Sequence, residues 1–210
     1  MDYLRVWLQA ANREDFPDPS QWEMAVGLIQ ASFREGRLDE GCSWKTAILI
    51  PKSNDDFCGI GLVEVIWKTV KWILNCRLTA DIQFHDTLYR FQTGRGTGTA
   101  YLESNIPQQL LTMREEILYD ILLDIHKSHD SLNCDLCLDI LLEYVKVPWD
   151  LHLLWRHWDR PTMVARDRGY FGTPFKGYCG VTQGGALSTT IFNVVIYVVL
   201  QHWVTVVALM

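Results

Sequence analysis

The stretch Tyr119-Asp120-Ile121-Leu122-Leu123-Asp124-Ile125-His126-Lys127-Ser128-His129-Asp130 decides how this chain is read. Its apolar residues Ile121, Leu122 and Leu123 deliver one carboxylate, Asp124, to the point where the run gives way to polar residues. Such a run, bounded by turn-forming residues, predicts a buried strand over 117–125 with Asp124 at its open end. A carboxylate so placed suits a hard divalent cation. More than fifty residues further on stands Gly180-Val181-Thr182-Gln183-Gly184-Gly185-Ala186-Leu187-Ser188-Thr189-Thr190-Ile191-Phe192-Asn193, a glycine-rich turn that enters an apolar helix.

Around these two segments the periodicity supplies the remaining elements. Asp18-Pro19-Ser20, followed by Trp22, Ala25, Val26, Ile29 and Phe33, predicts a capped amphipathic helix closing near Gly36. Residues 44–51 read as a short strand that runs into a turn-rich loop, and 62–78 carry apolar residues at helical spacing. A helix over 99–113 follows the flexible Gly94-Arg95-Gly96-Thr97-Gly98, with Pro107 expected to kink or break it. Residues 132–144 predict a helix capped by Asp130, and 149–158 a shorter one. In 163–178, Val164-Ala165-Arg166 and Pro174-Phe175-Lys176-Gly177-Tyr178 flank Gly169 and Gly172, the pattern of a hairpin. The fold class this predicts is α+β, with helices packed on a small antiparallel sheet.

Composition narrows the partners. At 210 residues and 49% hydrophobic, the chain can bury the core of one domain, or of a domain plus a fragment, and is not disordered in type. The net charge of -6 is uneven: residues 115–160 carry ten acids against four bases, while 41–114 and 161–210 have a small basic excess. That excess is a faint footprint for a phosphate-bearing partner. Six cysteines without a secretory signal point to reduced thiols in the cytoplasm or nucleus. Cys134 and Cys137, with His126 and His129 ahead of them, would make a zinc set only if all four converged over an unusually short loop; the alternative is two solvated histidines and two helix thiols. From Gly184 onward there is no Asp, Glu, Lys or Arg, and 191–210 is long enough to span a membrane. Asn193, Gln201 and His202 interrupt it, and its β-branched residues also suit a buried core helix or a strand; a tail anchor is the other reading.

In their order, the two quoted segments resemble the palm of a reverse transcriptase, an RNA-directed DNA polymerase, of the non-LTR retroelement or group II intron type. The resemblance extends over roughly 44–203. It implies a partial right-hand polymerase fold, fingers plus incomplete palm, divided as an N-terminal helical extension (1–43), a fingers-like region (44–114) and a partial palm (115–210). It also implies nucleotidyl transfer with two magnesium ions, on an RNA/DNA primer-template with deoxynucleotides. Asp124 resembles the family's first catalytic aspartate, and the carbonyl of Ile125 would stand beside it on the metal. His129 takes the place of a bulky aromatic that crowds the ribose 2'-hydroxyl. Gln183 and Gly184 match the family's Gln-Gly pair near the incoming nucleotide, whereas Gly185, Ala186 and Thr189 depart from its Asp or Ser and prolines. Lys52, in Ile48-Leu49-Ile50-Pro51-Lys52, fits the lysine on the nucleotide phosphates, while Cys58 stands where an arginine is usual. Arg95 fits the template-binding segment, in which Gln92 replaces another arginine. The loop around Arg95 lacks the strand, lysine and helix order of a nucleotide P-loop.

One carboxylate does not hold two magnesium ions, and no Asp follows Asp167. The expectation is therefore a domain cut short before the Asp-Asp motif, inactive by itself, with a partner or a missing C-terminal part covering 187–210. Two alternatives stand beside it. One is a residual nucleic-acid-binding module using Lys52, Arg95, Arg166, Arg168 and Lys176; the other is a membrane protein anchored through 191–210.

Overall fold

The computed structural model describes residues 19–37, 45–51, 57–63, 65–84, 86–92, 94–119, 122–158, 161–167, 169–177, 179–181 and 185–208. Among them, six helices and five strands form a mixed α+β fold. Helix α1 (Pro19–Glu35) ends where Gly36 takes φ 63°, the left-handed conformation that closes helices most easily at glycine. A β-carbon on Gly36 would lie 2.7 Å from the Trp149 ring, so the turn also lets two helices approach.

Strands β1 (Lys45–Pro51) and β2 (Phe57–Val63) form an antiparallel hairpin, with Lys45 opposite Val63 and Pro51 opposite Phe57. The sequence did not announce β2, because its glycines at 59 and 61 weaken strand propensity. Its presence moves the start of the next helix, α2 (Val65–Asp81), past residue 62. Helix α3 (Thr97–Met113) continues through Pro107, so the proline does not break it. The helix buries none of its residues, so the carbonyl that Pro107 leaves without a donor faces solvent.

The largest correction falls on 117–125. The described residues there, 117–119 and 122–125, form no strand and are exposed. An apolar, β-prone run becomes a strand only with a neighbour to pair with, and no described strand pairs with it. Helix α4 (Cys134–Leu141) is shorter than predicted and capped by Asn133, not Asp130: the Asn133 side chain accepts from the Leu136 N–H at 3.0 Å. Helix α5 (Pro148–Trp158) follows as expected.

The hairpin is present as β3 (Thr162–Asp167), which pairs antiparallel with β4 (Tyr170–Phe171) and β5 (Phe175–Lys176). The sheet is nevertheless not all antiparallel. β3 lies parallel to β1, Lys45 beside Met163 and Ile48 beside Arg166, in the order β2-β1-β3-β4. Four helices intervene between β2 and β3, ample length for the crossover that parallel pairing requires.

Helix α6 (Ala186–Ala208) completes the core. Trp67, Val70, Ile73, Leu74 and Leu78 of α2 gather with Ile29, Leu141, Leu153, Leu154, Leu187, Ile191 and Val194, all nearly or wholly buried. Each such side chain contributes about 1.5–3 kcal/mol. The core is thus mainly helical, and the sheet packs against it through Val63 of β2, while Ala47 of β1 and Val164 of β3 are buried outside that cluster.

Candidate functional site

Three segments singled out in the sequence meet at the first half of α6. After Asp124 the chain passes through turns over 126–131, with Lys127 at φ 45°, an unusual conformation for a side-chain-bearing residue. The turns bring His129 inward: its ring stacks on Phe192 of α6, centroids 5.2 Å apart and planes inclined by 16°. Two backbone bonds clamp this segment to the start of the second motif. Gly180 N–H donates to the Leu132 carbonyl and Val181 N–H to that of His129, each at 2.8 Å. Gly180 has φ 84°, and a β-carbon there would fall 2.8 Å from the Asp130 backbone, so the close approach requires glycine. The third segment is tied on by Asn193, whose amide donates to the Arg90 carbonyl at 2.7 Å.

Electrostatics at this junction disfavour charge on His129. Burial lowers its pKa, Arg90 lowers it further, and Asp130 opposes both. A neutral ring stacked on Phe192 is the result.

The other predicted residues are placed less closely. Asp124 and Ile125 lie on exposed, irregular backbone, not at the end of a buried strand. Arg95 is ion-paired with Asp86 and lies 5.8 Å from the Tyr89 ring centroid. Lys52, Gln183, Gly184 and Arg168 fall outside the described residues. Among the described residues no three of His, Cys, Asp or Glu converge as metal ligands. The donors described therefore do not make a two-metal site, nor a zinc site from His126, His129, Cys134 and Cys137. Burial instead pushes the Cys137 thiol up to about 12, which keeps it protonated, and Cys134 donates weakly to the Gly180 carbonyl at 3.6 Å.

Sequence reasoning missed Asn193 as a tether and two buried lysines. Lys45 on β1 and Lys71 on α2 are both 4% exposed. A signal was present for Lys71: with Trp67, Leu74 and Leu78 it shares the apolar stripe of its helix.

Helix α6 is long and apolar enough over Leu187–Thr205 to cross a membrane, and 44% of that window is buried inside the fold. Its first half is core, while Val199, Trp203 and Val204 are exposed.

A carboxylate-bearing segment, then a Gln-Gly pair in the sequence ahead of a core helix, behind a glycine-rich loop that carries Arg95, is an order belonging to the RNA-directed polymerases. Residues 50–209 match the family described as reverse transcriptase (RNA-dependent DNA polymerase), and the chain belongs to it. Among curated proteins no match is found.

Proposed function

We propose that this chain is the fingers and an incomplete palm of a reverse transcriptase of non-LTR retroelement or group II intron type, and that these 210 residues do not polymerise by themselves. The divisions 1–43, 44–114 and 115–210 belong to that reading, as does a cytoplasmic or nuclear setting. The observation that carries it is the count of carboxylates: Asp124 matches the family's first, and no Asp or Glu follows Asp167. Magnesium binds through hard oxygen ligands, and one carboxylate beside a carbonyl does not organise a pair of ions. Partner chemistry follows from the family: primer-template and deoxynucleotides.

A second reading, nucleic-acid binding without synthesis, is favoured by one surface. On the β3–β5 hairpin, Tyr170 and Phe171 are 82% and 64% exposed, Arg166 lies 5.5 Å from the Phe171 ring centroid, and Lys176 donates to the Thr162 hydroxyl at 2.7 Å. Exposed rings beside cations suit unstacked bases and their phosphates.

Primer extension on an RNA template, with magnesium or manganese, tests both readings when paired with binding across a salt series. The expected outcome is no incorporation above a protein-free blank, with primer-template binding that falls steeply as salt rises and weakens on Arg166→Ala. Robust incorporation abolished by Asp124→Ala would overturn the inactivity claim. Binding indifferent to salt would remove the second reading.

A further inference from the structure

The first turn of α6 and the Lys71 and Ser188 side chains gather hydrogen-bond donors in one place, and among the described residues no carboxylate pairs with Lys71. Gly185 caps the helix: its carbonyl accepts from Ser188 N–H at 3.1 Å and Thr189 N–H at 3.4 Å. The N–H groups of Ala186 and Leu187 stand ahead of the carbonyls of their own helix and have no partner within it. A helix of 23 residues adds the positive end of its dipole at the same place.

Into this turn points a buried lysine side chain, that of Lys71. A β-carbon built on Gly185 would meet Ser188 Oγ at 3.6 Å and Lys71 Nζ at 4.0 Å, so both polar groups face the same small volume, which glycine leaves free. Lys71 and Ser188 are 4% and 3% exposed. Among the described residues no carboxylate or hydrogen-bond acceptor pairs with Lys71 Nζ; its one ring contact, Trp67, lies 5.9 Å from the ammonium, at the outer limit for such an attraction. The charge bearing on it is that of Lys45, which repels. Burying an amine with no described acceptor is costly, and the Lys71 amine, the Ser188 hydroxyl and the first-turn amides all offer donors that an oxyanion would accept.

We propose that Lys71, Ser188 and the first-turn amides of α6 form an oxyanion site that takes a single phosphate group, supplied as free phosphate or as a backbone phosphodiester of nucleic acid. A tetrahedral oxyanion would accept from Lys71 Nζ, from Ser188 Oγ–H and from the amides at once, the arrangement that helix N-termini offer to phosphates. Lys45 adds charge from the neighbouring strand. The site needs neither Asp124 nor a metal, so it stands whether or not the polymerase reading does.

Thermal unfolding and calorimetric titration of the full 210-residue chain with inorganic phosphate, against sodium chloride at equal ionic strength, test the site. Phosphate is expected to raise the melting temperature of the wild-type chain. Lys71→Met should melt higher than wild type without phosphate, because a buried amine with no described acceptor is gone, and should bind phosphate at least about tenfold more weakly. Gly185→Ala, whose added carbon has room beside the helix but intrudes on the oxyanion's space, should fold normally and lose the phosphate-dependent rise. A rise of undiminished size in Lys71→Met, or no rise in wild type, would overturn the proposal. A short single-stranded oligonucleotide separates the sources: affinity weakened by Lys71→Met identifies a phosphodiester, and affinity unchanged while the phosphate effect is lost identifies free phosphate.

Discussion

Lys45 departs far from the ordinary chemistry of its residue type. Burial pushes its ammonium from the usual 10.5 down to about 7, and the Cys134 thiolate, when formed, only partly restores it. The unfolded chain keeps this proton up to about pH 10.5, whereas the folded chain releases it near 7. Between those values the unfolded state binds more protons, so stability rises as the pH climbs. Lys71 acts in the same direction, since burial and Lys45 both lower its pKa. The buried thiols of Cys134 and Cys137, held above their ordinary 9.0 by burial, act in the opposite direction once unfolded thiols ionise. The lysine effect is therefore cleanest between pH 7 and about 9. Urea unfolding across that window should show wild-type stability increasing with pH and a visibly shallower slope for Lys45→Met. An unchanged slope would mean that Lys45 is solvated in the folded protein.

At the scale of elements, the junction of the three motif segments depends on Gly180. Its positive φ and its 2.8 Å approach to the Asp130 backbone are separate reasons to exclude a side chain, and Gly94 supplies the control: φ 77° with nothing within 4 Å of an added carbon. Gly94→Ala should lose about 1 kcal/mol from conformation alone; Gly180→Ala should lose clearly more, because it also parts the backbone clamp to His129 and Leu132. Equal losses in denaturant titrations would mean that the clamp is loose. Much of this arrangement was legible in advance. α1, β1, α5 and the β3 hairpin announce themselves through caps, spacing and glycine placement, and the order of the motifs pointed to the family. What was not legible depends on neighbours far away in sequence. The run over 117–125 has the composition of a strand but no described partner, β2 forms despite its glycines because β1 pairs with it along its full length, and a parallel β1–β3 contact leaves no mark in either strand. His129 read as a polar ring near a nucleotide, yet Phe192, more than sixty positions later, decides that it stacks and stays neutral.

Across the whole molecule, apolar side chains divide into two populations. One fills the helical core of α1, α2, α4, α5 and α6. The other lies outside it: Tyr101, Leu102, Ile106 and Leu110 along α3, then Ile117, Tyr119, Leu122 and Leu123 beyond it, all more than half exposed. Exposed apolar surface of this extent favours association, and the net charge of -6 is modest opposition for 210 residues. Light scattering on the purified chain should accordingly show apparent mass growing with concentration. Leu122 and Leu123 are 91% and 72% exposed, so replacing both with serine should lower that association and leave the unfolding midpoint where it was. Ile191→Ala, at 1% exposure, should do the reverse: no relief of association and a loss of about 2–5 kcal/mol of stability. If the serine pair instead costs stability on the scale of Ile191→Ala, these leucines are buried in solution and 117–125 is packed as the strand its sequence resembles.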